Sequence, residues 1–373
     1  METQRPGTDH PSAGRRPQRT IATPCKGLAT TVALDLPDTS SDMPRLGSDA
    51  ILASNENVSS PAIVTLTMNP AIDVSASVDE VTPDHKLRCG APAYEPGGGG
   101  INVARAIRRL GGDALAVFPA GGPAGTLLSS LLDAEGVRHR ALPIAGWTRE
   151  NMNVDEGKTR RQFRFVMPGP TLQEREWQSI LGELAALAPL PRYLVASGSL
   201  PPGVPADFYA GLARLLRPRG VALVLDASGE PLRRAVAEGV DVLKPSLREF
   251  EELTGEKGCE EARLPVLARR FIDDRRCKIL ILSLGAEGVF WTSTSESGRL
   301  VAPAVAVKST VGAGDSMVAG IVLSLARGRA LGEAIRYGVA AGAASVMNPG
   351  TQLCRAEDVE RLYAEVGVAP STR

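Results

Sequence analysis

The sequence predicts an α/β fold: a mostly parallel sheet flanked by helices, with a small antiparallel β-sheet appended. Three observations carry that expectation. Short apolar, β-branched runs recur at residues 62–68, 114–118, 193–196, 221–225, 240–243 and 279–283. Unbroken apolar runs of this length mark strands buried on both faces. Segments of helical period alternate with them at 101–110, 125–134, 205–217, 246–254 and 261–274, and that alternation gives a parallel sheet with helices on either side. The stretches 74–96 and 162–167 break the rhythm, with short polar–apolar alternation and no helix, as a separate small sheet requires.

Each element has a local reason. Residues 62–68 read AIVTLTM, a short apolar, β-branched run that marks a buried strand. Helix 101–110 places Val103, Ile107 and Leu110 on one face, and Gly111-Gly112 stops it. Past Leu300 the chain turns to helices at 314–327, 331–347 and 356–366. No repeat of fixed period occurs, so array architectures are excluded. Residues 1–60 are rich in Pro, Gly, Ser, Thr and Arg with little apolar periodicity. They read as a disordered leader or an over-extended start, with Met43 an alternative first residue. The folded domain is expected over 61–368.

Composition narrows the function classes. Lys plus Arg and Asp plus Glu number 42 each, so net charge supports neither nucleic-acid nor membrane-surface binding. No apolar run reaches the roughly 18–20 residues that span a bilayer. Cys25, Cys89, Cys259, Cys277 and Cys354 are widely spaced with no CxxC pair, which suits reduced thiols in a cytoplasmic protein. His10, His85 and His139 form no metal-like cluster.

Four segments carry chemistry. In 310–316, TVGAGDS, glycines precede a helix whose Met317, Val318, Ile321, Val322 and Leu325 form one apolar face. Backbone N–H groups and the helix dipole there suit an anion. Asp315 at its lip is placed to accept a proton in phosphoryl transfer, or else simply caps the helix. In 95–102, EPGGGGIN, four glycines permit close backbone approach and Asn102 offers a donor and an acceptor; a hinge loop reads similarly. Lys86, Arg88 and Arg149 are basic residues outside the helices, suited to phosphate oxygens or to solvent. Asp73 follows the first strand, at the end of a parallel sheet where ligands bind, and suits sugar hydroxyls or an Asx turn. Neither a P-loop nor a dinucleotide fingerprint is present.

In order, KLRCGAPAYEPGGGGINVARAI, FPAGG, WTREN, FRFVMPG, SGSLPPGV, STVGAGDSMV and GVAAG resemble the ribokinase-type (PfkB) carbohydrate kinases over about residues 63–363. Within that family they are most similar to the branch that phosphorylates fructose 6-phosphate at its C1 hydroxyl. The resemblance implies a ribokinase-like fold in which the small sheet is a lid that also pairs two subunits into a homodimer. It implies Asp315 as catalytic base and the N–H groups of Gly312, Ala313 and Gly314 as anion hole. Asp73, Gly98, Gly99, Asn102 and Ser199 match sugar-contacting positions, and Lys86, Arg88 and Arg149 match positions near the substrate's phosphate. Lys244, Ser246, Glu249, Ser283, Gly285 and Val339 match the ATP side, with magnesium arriving with ATP and Glu249 organising it indirectly. Ser309, Val311, Asn348 and Gly350 resemble a monovalent-cation loop, usually potassium. The family's Asn-x-x-Glu reads Ser246-x-x-Glu249 here, which implies altered magnesium or phosphate dependence. The resemblance leaves open tagatose 6-phosphate kinase, 1-phosphofructokinase and a catalytically silent sugar-phosphate sensor.

Overall fold

Strand and helix alternate from the first apolar run onward. The computed structural model describes residues 62–256, 258 and 261–368, all within one unit, Asn57–Arg373. The leader expected at 1–60 lies outside the described residues. In chain order the fold opens with β1 (Ile63–Leu66), β2 (Ala71–Val78), β3 (Ala93–Gly97), α1 (Gly99–Arg109), β4 (Leu115–Ala120) and α2 (Gly122–Ala134). Next come β5 (His139–Pro143), β6 (Arg149–Glu156), β7 (Gln162–Phe165), α3 (Glu174–Ala185), β8 (Tyr193–Ser197) and α4 (Phe208–Leu216). These are followed by β9 (Ala222–Asp226), α5 (Gly229–Glu238), β10 (Val240–Leu243), α6 (Leu247–Thr254), α7 (Leu264–Asp273) and β11 (Cys277–Ser283). The chain closes with β12 (Val289–Ser293), β13 (Ser297–Val301), α8 (Ala313–Ala326), α9 (Leu331–Val346), α10 (Ala356–Glu365) and β14 (Gly367–Val368).

The main sheet runs β14-β13-β12-β11-β10-β9-β8-β1-β4-β5. It is parallel from β5 to β11, and its last three pairings are antiparallel. Successive strand residues enter opposite cores. Ile63, Val195, Val224 and Val242 join α1, α2, α8, α9 and α10 on one face. Val64, Leu194, Leu223 and Leu243 join α3 to α7 on the other. Both faces are thus buried, which is why the strands read as apolar runs. The order reverses at β1, flanked by β4 on one side and β8 on the other. That reversal opens a crevice at the carboxyl ends of the strands. Among the described residues no helix is long and apolar enough to cross a membrane.

The second sheet runs β3-β2-β6-β7. Its outer pairs are antiparallel as expected, but its central pair, β2 with β6, is parallel, from Ala71↔Arg149 to Val78↔Glu156. The two strands are joined by a connection through β3, α1, β4, α2 and β5 and not by a hairpin, which sets their direction. Strand β6 was absent from the sequence reading because RENMNVDE carries charges at both ends and few β-branched residues. The hairpin of β12 and β13 precedes the run of helices expected past Leu300, which α8, α9 and α10 form.

Candidate active site

The ends of the parallel strands place polar residues where each apolar run stops. Ser197 ends β8, Asp226 ends β9, Lys244 follows β10 and Ser283 ends β11. Gly312, in the left-handed region at φ 75°, is the N-cap of α8 and turns the chain so that the helix starts beside them. The first bond of α8 runs from the Ser316 N–H to the Gly312 carbonyl at 2.8 Å. Ala313 and Gly314 therefore point N–H groups out of the helix without intrahelical acceptors.

Asp315, in the first turn of α8, is the hub. Its Oδ2 accepts a hydrogen bond from Asn102 Nδ2 at 3.0 Å and its Oδ1 accepts one from the Ser197 hydroxyl at 3.3 Å. Burial and the Asp226 charge push its carboxyl up to about 6, against the Asn102 bond, the Lys244 ammonium and the Ser197 bond. Lys244 is 8% exposed and pairs with Asp226 Oδ1 at 3.1 Å. Burial opposes its charge, yet Asp226, with Asp315 and Glu249, holds the ammonium above its ordinary range. A Cβ at Gly314 would lie 3.6 Å from Lys244 Nζ. An ammonium and a helix N-terminus thus converge beside Asp315, an arrangement that favours negative charge there.

Asn102 is brought in by the glycine loop. Gly98, at φ 112°, is the N-cap of α1, and the Asn102 N–H donates to its carbonyl at 2.9 Å. The loop is packed to contact: a Cβ on Gly99 would fall 2.2 Å from Ser197 Oγ, and one on Gly97 would fall 2.5 Å from Asp73 Oδ2. Asp73 lies on β2 and accepts from Asn151 Nδ2 at 2.8 Å. Burial raises its carboxyl, against Asn151, Arg149, Arg164 and Arg105. The registers Asp73↔Glu95, Asp73↔Asn151 and Asn153↔Arg164 put these side chains on one face of the small sheet. Arg149 Nη1 donates to the Met167 carbonyl at 2.9 Å and Nη2 to the Asn69 carbonyl at 3.0 Å. Its Nε is buried without a partner. Ser199 accepts from Asn69 Nδ2 at 3.1 Å.

Other predicted residues fall in separate places. Ser246 and Glu249 form a capping box at the start of α6. The Ser246 hydroxyl and N–H each donate to Glu249 Oε2 at 2.8 Å, and the Glu249 N–H donates back to Ser246 Oγ at 3.3 Å. Ser283 pairs with Ser246 in an isolated bridge, and Gly285 follows in an exposed turn at φ 63°. Val339 is 2% exposed and packs in the core within α9. Lys86 and Arg88 sit in the exposed 79–92 loop.

The cation-loop residues are brought together. Lys308 and Ser309 both donate backbone N–H bonds to the Val346 carbonyl, at 2.7 and 3.3 Å. Ser309 Oγ accepts from the Val311 N–H at 3.2 Å. Asn348 Nδ2 donates to the Ala344 and Leu353 carbonyls, both at 3.2 Å, and Gly350 turns at φ 61°. Ser316 and Ser345 hydroxyls lie buried nearby on α8 and α9 without partners. Hydroxyls and carbonyls are hard oxygen donors of the kind a monovalent cation takes, the Glu95 carboxylate lies beside the loop, bonded by the Thr351 hydroxyl, and no group of three or more His, Cys, Asp or Glu suited to a metal occurs among the described residues.

The sequence reading missed Arg105, Asn151, Arg164, Ser197 and Asp226. Of these, Ser197 and Asp226 carried a signal: each is the polar residue directly after an apolar strand run.

The chain is similar to known proteins in sequence and in fold. An ATP-dependent 6-phosphofructokinase isozyme 2 of Mycobacterium tuberculosis is 46% identical over 311 residues, 83% of this chain and 91% of that protein. The crystal structure of phosphofructokinase-2 from Escherichia coli in complex with potassium has a TM-score of 0.79 at 40% identity, covering 82% of this chain and 99% of that one. A tagatose-6-phosphate kinase of Staphylococcus epidermidis is 29% identical over 312 residues, 82% of this chain and 99% of that protein. The pfkB family carbohydrate kinase model spans residues 62–358, from β1 through the start of α10 and including every residue around Asp315, and the chain belongs to that family.

Proposed function

We propose that this chain is an ATP-dependent 6-phosphofructokinase that phosphorylates the C1 hydroxyl of fructose 6-phosphate. The carrying observation is Asp315 itself: a carboxylate held by Asn102 and Ser197 beside the Lys244 ammonium and the open start of α8. In the reaction the C1 oxygen forms a bond to the γ-phosphorus and the bond from that phosphorus to the bridging oxygen breaks. The electron pair of the broken bond leaves with ADP, and the hydroxyl proton passes to Asp315. Lys244 and the N–H groups of Gly312, Ala313 and Gly314 hold the negative charge of the phosphoryl group in transit. Asp73, Gly98, Gly99, Asn102 and Ser199 hold the sugar, and Arg149 approaches its phosphate. The side chains of Lys244, Ser246, Glu249 and Ser283 and the Gly285 turn face the nucleotide. Magnesium would arrive with ATP, Glu249 would organise it indirectly, and it would supply charge neutralisation to the phosphates. Potassium is the cation for which Ser309, Val311, Asn348 and Gly350 supply oxygens.

Fructose 6-phosphate is favoured over tagatose 6-phosphate by the 46% against 29% identity of the respective relatives. The test is ADP release from ATP with fructose 6-phosphate, tagatose 6-phosphate and fructose 1-phosphate, each with and without potassium. We expect the highest kcat/KM with fructose 6-phosphate and stimulation by potassium. A higher value with either other sugar reassigns the substrate; no ADP release with any of them favours the silent sensor.

A homodimer through the small sheet completes the proposal. Opposite the face that carries Asp73, the register aligns Tyr94, Val74, Met152 and Phe165 across all four strands. Three of these large apolar side chains are 42–48% exposed, a contiguous patch that marks an interaction surface.

A further inference from the structure

Arg105 is the largest fully buried side chain among the described residues, at 1% exposure. It lies on α1, three residues after Asn102. A guanidinium in that position is destabilising unless its donors are paired, and here every nitrogen is used. Nε donates to Glu135 Oε2 at 2.8 Å and Nη2 to Glu135 Oε1 at 2.5 Å. These two parallel bonds fix the plane of the fork. Nη1 is thereby aimed at two acceptors, the Pro96 carbonyl at 2.8 Å and Asn102 Oδ1 at 3.3 Å.

The second of those contacts decides which way an amide faces. A primary amide has an acceptor side and a donor side. With Asn102 Oδ1 turned to Arg105, Nδ2 is turned to Asp315 Oδ2 at 3.0 Å. The flipped amide would set a carbonyl oxygen against the carboxylate and leave Nη1 facing an N–H group. We propose that Arg105 is a positioning residue for the reaction: through the Asn102 amide it fixes the hydrogen-bond donor that Asp315 accepts, and through Pro96 it ties that setting to the root of the small sheet. The proposal rests on the reading of Asp315 as the base.

The electrostatic consequence is specific. Asp315 is faced by the Asp226 carboxylate from the end of β9, the Lys244 ammonium after β10 and the Ser197 hydroxyl at the end of β8; Glu249 acts on Asp226 and Lys244. Among these, the Asn102 bond favours the ionised form of Asp315. Without Arg105 the amide loses its fixed orientation, and the Asp315 carboxyl holds its proton to higher pH. A merely structural role would lower activity at every pH and leave that titration in place.

The test reads the Asp315 carboxyl by 13C NMR in the full chain without ligands, with its signal assigned by its loss in Asp315→Asn. Arg105→Met is expected to raise the titration midpoint by about one pH unit, the size of a lost hydrogen bond to a charged group. The acid limb of kcat/KM should move with it. Arg105→Lys keeps a buried cation opposite Glu135 but has no rigid fork to reach Asn102, so it gives the same upward shift and decides alone if Arg105→Met does not fold. In an Asn102→Ala background, Arg105→Lys should shift the midpoint no further, since the two act in series. An unmoved midpoint in the folded Arg105 variants, or an additive shift in the Asn102→Ala background, overturns the proposal. Because the titration needs no substrate, failure of the kinase reading shows separately, as absence of ADP release by the wild-type chain.

Discussion

At the scale of single residues, the site turns on a carboxylate that is stabilised just enough to ionise. Burial and Asp226 drive the Asp315 carboxyl from its ordinary value of 3.8 to about 6, while Asn102, Lys244 and Ser197 hold it from going higher. A base titrating near the operating pH is both ionised and able to take a proton. Asp315→Asn should therefore lower kcat by about 10²–10⁴-fold with little change in KM; an active Asn variant would remove Asp315 from the role of base. The same shift predicts a stability effect of opposite sense. The folded carboxyl binds its proton more tightly than the unfolded one, so ionising it costs stability, fully above about pH 6 and not at all below about pH 4. Asp315→Asn removes that cost, so it should stabilise the fold by on the order of 2–3 kcal/mol at pH 8. The gain should vanish as pH falls through the window from 6 to 4. Urea unfolding at pH 8, 6 and 4 checks this, and a gain independent of pH would contradict the titration argument.

At the scale of elements, legibility followed burial. Strands covered on both faces stood out as apolar runs, and β10 matches its expected range of 240–243. The glycine turns before α1 and α8 were equally plain, because φ values of 112° and 75° at Gly98 and Gly312 favour glycine. Strand β6 was hidden because Arg149, Asn151 and Asn153, on the face it shares with Asp73, are polar and erase the β pattern. Arg105 was hidden for the opposite reason: a charged residue on an amphipathic helix reads as solvent-facing, and only the fold reveals Glu135 and Pro96 closing over it. The start of α6 shows how one departure from the family pattern is absorbed. Ser246 is a good N-cap, and its hydroxyl also holds the Glu249 carboxylate. Asn caps about as well as Ser, so Ser246→Asn should leave the unfolding free energy within about 0.5 kcal/mol. It removes the hydroxyl donor from Glu249, so the dependence of rate on free magnesium should shift. Kinetics identical across a magnesium titration would show that position 246 does not tune the metal.

At the scale of the whole molecule, the small sheet has two faces with two destinations. Period-two alternation sends Asp73, Asn151 and Asn153 toward the glycine loop and Val74, Met152 and Phe165 away from it. The first set is satisfied by the site; the second is left exposed along with Tyr94. In the proposed homodimer a second copy of the chain would cover that patch and stiffen the sheet whose other face carries Asp73. Met152 is the place to test this, because it is 42% exposed and a charge there leaves the fold of one chain intact. In a dimer the same charge would be buried against apolar side chains, at a cost of several kcal/mol. Met152→Glu should therefore give monomers in sedimentation where the wild-type chain gives dimers, with an unchanged unfolding midpoint at low protein concentration. Loosening of β2 and β6 should raise KM for the sugar phosphate more than KM for ATP. Dimers that persist in Met152→Glu would place the interface elsewhere on the molecule.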